Sequence, residues 1–99
     1  MVDKETILKA LRRVIDPELD LNIVDLGLIY DVQVSNGDVD VTMTLTTPGC
    51  PLHAAIARGA KAAVRNVAGV QQANVQIVWD PPWTPERMSD EAKAHLRWG

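Results

Sequence analysis

The Asn36-Gly37 pair, set between two runs that read as strands, constrains the fold more than any other feature of this chain. Asn-Gly readily adopts the positive-φ conformations of a type I′ turn, whose twist matches that of paired strands, so a β-hairpin is predicted here. Beyond the turn, Val39, Val41, Met43 and Leu45 alternate with Asp40, Thr42, Thr44 and Thr46. That period of two marks a strand with one buried and one polar face, and the outward threonines need no function to explain them. Before the turn, a nearly continuous apolar run extends from Ile23 to Val34, with a bend at Val24-Asp25-Leu26-Gly27.

On either side of the hairpin the period becomes helical. Ile7, Leu8, Leu11, Val14 and Ile15 predict an amphipathic helix over Asp3–Ile15, capped by Asp3 and stopped at Asp16-Pro17, where the proline ring excludes the α region for the residue before it. Leu52, Ala55, Ile56, Gly59, Ala60, Ala63, Val64 and Val67 predict a second helix, whose small residues allow close approach to a sheet and which ends at Ala68-Gly69. Ala73–Trp79 reads as a further strand, with Val75, Ile77 and Trp79 on one side. The three prolines of Asp80-Pro81-Pro82-Trp83-Thr84-Pro85 cannot continue a ladder and predict an ordered turn or a docked arm. Ser89 then caps a short terminal helix that carries Asp90 and Glu91 in its first turn, followed by Ala92, Leu96 and Trp98. The order helix, hairpin, helix, strand, short helix predicts an α+β fold, a two-layer sandwich with helices on one face of a small sheet.

With 99 residues, the chain is expected to form a single domain over 1–99. An apolar share of 46% and a charged share of 23% are those of an ordinary globular protein, which argues against disorder. A formal net charge of −3 and the absence of a clustered phosphate-tracking stripe disfavour nucleic acid as a partner. The N-terminus lacks a signal layout, no apolar run approaches the ~20 residues of a membrane span, and one cysteine forms no internal disulfide. A reducing cytoplasm, with no membrane partner, is the expected setting.

That cysteine, Cys50, lies in Thr46-Thr47-Pro48-Gly49-Cys50-Pro51, between the strand and the second helix. Proline is favoured at the first helical position, so Pro51 reads as the helix start and Cys50 as its N-cap or neighbour. Amides at a helix N-terminus favour the thiolate and lower a thiol from its usual ~8.5, and the thiolate is both nucleophile and metal ligand. The alternative is a buried cysteine acting as a small apolar filler. Thr46 and Thr47 lead into this turn, where a hydroxyl could bond the thiolate or cap the helix. His53, three residues on, falls one turn along the same face, as a metal ligand or a solvent-facing residue. Asp16 and Glu18 read either as a solvated turn or as carboxylates facing the Cys50 turn. Asp25 reads as a supplementary ligand, a cap or a turn partner in its bend. Trp79 and Trp83 would either seal a core edge or, if exposed, form a docking patch, and Met88 is grouped with Trp83 in that patch.

Four strings in order, Asp16-Pro17-Glu18, Asn22-Ile23-Val24-Asp25-Leu26-Gly27-Leu28-Ile29-Tyr30, Thr46 to Pro51, and Asp80 to Ser89, closely resemble the DUF59 or MIP18-like family, which includes bacterial SufT-type proteins. The resemblance spans essentially the whole chain. It implies an FSCA-like fold and a role in maturing iron–sulfur proteins, with Cys50 at the position most tied to activity. It also implies contacts with the iron–sulfur assembly machinery and with client apoproteins. Larger relatives append a P-loop ATPase, but no G-x-x-x-x-G-K-[ST] string is present here, so ATP hydrolysis is not expected.

Iron–sulfur clusters usually take four thiolates, so one cysteine would hold iron or a cluster only transiently, sharing it with another chain or with a second Cys50 in a homodimer. On this reading the protein is not an enzyme. Two alternatives stay open. Thr47-Pro48-Gly49-Cys50 resembles a peroxiredoxin turn, which would make the chain a thiol-dependent redox enzyme, although no resolving cysteine exists. A metal-free client adaptor is the other, and it should tolerate loss of the thiol.

Overall fold

The structure, a computed structural model, describes residues 2–17, 19–45 and 53–96. Glu18, Thr46, Thr47, Cys50 and Trp98, singled out in the sequence, lie outside the described residues.

Helix α1 runs from Lys4 to Leu11. Asp3 caps it, its carboxylate accepting the Thr6 N–H at 2.9 Å and the Thr6 hydroxyl at 2.7 Å. These two bonds hold the Asp3 carboxyl below its ordinary pKa. The cap is therefore intact above the unfolded carboxylate's pKa and is lost as the pH falls through the lowered value. The helix ends four residues before the predicted Ile15. The Arg13 and Val14 amides turn back to the Ala10 and Leu11 carbonyls, and Ile15–Asp16 leaves as the two-residue strand β1, paired antiparallel with β2, Leu21–Asn22. Proline at 17 disfavours a helical Asp16, and extension through β1 leaves Ile15 49% exposed.

The main sheet has three strands, β3 (Ile29–Ser35), β4 (Asp38–Met43) and β5 (Gln72–Ile77), with β4 in the middle. The predicted hairpin joins β3 to β4, with Asn36 at φ 50° and Gly37 at φ 88°, as a type I′ turn requires. Parallel pairing of β4 with β5 sets Val41 beside Val75 and Met43 beside Ile77. The ladder continues past β5 through the Val78 N–H, which donates to Met43 at 2.8 Å, but Trp79 lies beyond it and is 42% exposed. Helix α2, His53–Arg65, provides the crossover between the two parallel strands and packs on β5 and on α1. Ile7 and Leu11 of α1, Ala60 and Val64 of α2, and Val39, Val41 and Met43 of β4 close the core between the layers. This is the predicted two-layer α+β sandwich.

Thr44 departs from the predicted outward polar face. It is wholly buried, with its amide donating to the Leu28 carbonyl at 2.8 Å, and its hydroxyl has no hydrogen-bond partner among the described residues. An enclosed hydroxyl without a partner forfeits its hydration on folding. Thr44→Val keeps the shape and removes that cost, so a gain of about 1 kcal/mol is expected, read as a melting temperature ~4–8 °C higher. A lower melting temperature would show the hydroxyl to be satisfied in solution.

Candidate functional site

Residues 22–28 form one turn of helix, closed at both ends by their own side chains and backbone. Asn22 starts it, its Oδ1 accepting the Asp25 N–H at 2.8 Å while its Nδ2 donates to the Asp25 carboxylate at 2.9 Å. Gly27, at φ 78°, ends it. The Gly27 N–H reaches the Val24 carbonyl at 3.0 Å and the Leu28 N–H reaches that of Ile23 at 3.1 Å. These are the two bonds of a Schellman stop, completed by buried Ile23 and Leu28. The apolar run from Ile23 thus begins as a capped helical turn and becomes strand only at Ile29, because the glycine reverses the chain.

The C-terminal arm is laid across this turn. At Gly27 a Cβ would stand 2.2 Å from the Arg87 carbonyl oxygen, so only glycine admits the arm this closely. The Trp83 indole N–H donates to the Leu26 carbonyl, and the Ser89 N–H donates to that of Asp25 at 2.7 Å. Opposite Met43 and Thr42 the β3 register shifts between Ile29 and Asp31, leaving Tyr30 as the extra residue. A bulge of this kind re-aims a side chain. The Tyr30 hydroxyl donates to the Pro81 carbonyl at 2.7 Å, and the Arg87 guanidinium lies 4.8 Å over its ring. Past a 3-10 turn at Pro85–Arg87, the arm ends in helix α3, Asp90–Leu96, where the Ser89 hydroxyl accepts the Ala92 N–H as predicted.

Several sequence-selected residues find their places here. Asp25 is the turn partner of Asn22 and an anchor for the arm. Asp16 is buried and closes the turn after β1, its carboxylate accepting the Leu19 N–H at 3.4 Å. The grouping of Trp83 and Met88 as an exposed patch is corrected. Met88 is 4% exposed and joins the core, while Trp83 is partly buried and fastened by its indole N–H, because both hold the arm down. Tyr30, Arg87 and the close approach at Gly27 were not singled out from sequence as contacts. An asparagine cap followed five residues later by glycine was the legible signal for the turn.

The ends of β4 and β5, the start of β3 and the start of α2 converge on one end of the sheet, as the parallel β4–α2–β5 connection demands. The segment bearing Cys50 joins β4 to α2 at that end by connectivity. Among the described residues, no three His, Cys, Asp or Glu are grouped to hold a metal ion.

The overall fold of this small two-layer α+β domain is shared with known proteins. The chain belongs to the iron–sulfur cluster assembly protein family, whose sequence profile matches residues 4–77. It is 48% identical over 94 residues to the Fe-S protein maturation auxiliary factor YitW of Bacillus subtilis, covering 94% of this chain and 92% of that protein. An iron–sulfur cluster carrier protein of Synechocystis is 37% identical over 90% of this chain, which corresponds to 26% of that longer protein. The crystal structure of a DUF59 domain from Bacillus anthracis superposes with a TM-score of 0.91 at 43% identity, over 95% of this chain and 91% of the other.

Proposed function

We propose that this protein is a maturation factor for iron–sulfur proteins, acting through transient handling of iron or a cluster at Cys50 and through contact with client apoproteins. The observation that carries this reading is near full-length similarity to a maturation auxiliary factor. The cluster is cargo. With one cysteine in the chain, the remaining coordination positions fall to a donor, a client or a second copy, and incomplete ligation favours release. Thr46 and Thr47 beside the thiol, and Asp16 and Glu18 around the β1–β2 turn, support the site, while Asp25 positions the turn and the arm. Client contact centres on Trp79, a large aromatic 42% exposed just past β5.

The protein acts without turnover chemistry of its own, in the reducing cytoplasm. No described helix is long and apolar enough to cross a membrane.

Anaerobic reconstitution with ferrous iron and sulfide tests the site, read by absorption, by bound iron and sulfide and by mass in solution. Charge-transfer bands that vanish in Cys50→Ser are expected, with a dimer if two Cys50 thiolates share the cargo. Colourless protein in both cases overturns metal handling and leaves the adaptor reading.

A further inference from the structure

The charges of this chain are unevenly distributed along it. Residues 3–13 and 53–65, which include α1 and α2, carry seven Lys or Arg against two Asp or Glu, a balance of +5. The other residues therefore carry −8, which gives the overall −3. The two helices thus carry a local excess of positive charge in an acidic protein, part of it, at Arg12, offset by Asp25, Asp90 and Glu91 in a shared pocket.

An open groove runs between α1 and α2. Val14, Gly59, Ala63 and Val67 supply its apolar lining, and Lys9 and Arg13 stand exposed along it. Gly59 and Ala63 lie four apart on α2, and a Cβ at Gly59 would sit 3.5 Å from Val14 Cγ1, so the missing side chains leave the groove open. Neither Lys9 nor Arg13 forms an ion pair with a described residue. Two exposed cations beside an apolar floor, with Lys9 also acting on Asp3 at the start of its own helix, fit an occupant with an apolar ridge and carboxylates beside it.

We infer that the α1–α2 groove docks an acidic amphipathic helix of a partner protein, with its apolar ridge against Gly59 and Ala63 and its carboxylates on Lys9 and Arg13. Helix-in-groove recognition uses this division between an apolar anchor face and flanking charge. Nucleic acid offers no apolar ridge, and the −8 carried by the rest of the chain opposes a long polyanion. A vesicle surface is flat where the groove is concave. None of the residues proposed to support metal handling lines the groove, so the inference does not depend on that reading.

The test is a fluorescence-anisotropy titration of the full chain with a synthetic amphipathic helix of leucine, alanine and glutamate. Parallel titrations use the same peptide with lysine for glutamate, an acidic peptide with its leucines scattered, a single-stranded RNA and anionic phosphatidylserine vesicles. Saturable binding of the acidic amphipathic peptide is expected, falling at least tenfold in Lys9→Glu/Arg13→Glu. Weakening between 50 and 300 mM salt should follow, since the screening length shortens from ~14 Å to ~6 Å across this range. Gly59→Leu keeps every charge, fills the floor and favours the helix, so it should also weaken binding at least tenfold in a folded protein. Equal binding of the scattered peptide, or indifference to Gly59→Leu, would reduce the surface to bulk charge and overturn the inference. So would preferential binding of RNA or vesicles, self-association abolished by the charge-reversed variant, or no binding at all.

Discussion

Gly27→Ala is expected to destabilise the domain by roughly 3 kcal/mol or more, the largest effect of a Cβ added at any of the described glycines. Two costs combine at this position. A non-glycine residue at φ 78° carries a left-handed penalty of about 1–2 kcal/mol. The new Cβ would also meet the Arg87 carbonyl oxygen at 2.2 Å, with rigid backbone on both sides of the contact. To relieve it, the arm must lift from the capped turn, which strains the Trp83–Leu26, Ser89–Asp25 and Tyr30–Pro81 bonds together. Thermal unfolding should show a melting temperature lower by ~10 °C or more. Gly59→Ala is the internal contrast, because it makes only ordinary contact with Val14 and gains about 0.8–1 kcal/mol of helix propensity. It should raise the melting temperature by a few degrees. If Gly27→Ala melted with the parent protein, the arm would not rest on Gly27 in solution.

Cys50→Ser is expected to abolish the proposed activity while leaving stability nearly unchanged. Serine is close to isosteric with cysteine, but its hydroxyl stays protonated at neutral pH where a thiolate would bind iron. Transfer from the reconstituted protein to an apo iron–sulfur enzyme, followed by the activity that enzyme regains, should fall at least tenfold in the variant. Its melting temperature should remain within a few degrees of the parent's. Undiminished client activation would exclude a metal-handling thiol and favour an adaptor working through surface contacts. A variant that lost activity only because it melted early would point to a packing role, which is why both readouts are taken on one preparation.

Local rules determined much of this molecule. The hairpin follows from Asn36-Gly37 and the alternation after it, and the caps of α1 and α3 follow from Asp3 and Ser89, because each depends on a few neighbouring residues. The four strings that carry the family resemblance are likewise local, and they were enough to anticipate iron–sulfur protein maturation. The apolar run from Ile23 was less legible. Hydrophobicity there marks burial, but only the cap at Asn22 and the reversal at Gly27 separate a helical turn from the strand that follows.

Other features were decided by contacts between residues far apart in the chain. Thr44 alternates like its neighbours yet is wholly buried, because burial at the end of a strand depends on which distant segment covers it. Sequence left open whether Trp83 and Met88 seal a core edge or form an exposed patch, and the fold decides it, since the indole of Trp83 is fastened to Leu26 far earlier in the chain and Met88 joins the core. The same long-range packing leaves Trp79 exposed and brings the small side chains of α2 beside the cations of α1. Sequence alone determined the elements and the family, because turns, caps and periodicity act over a few residues. Which surfaces remain open to a partner was decided by tertiary structure, because exposure is a property of everything packed around a residue.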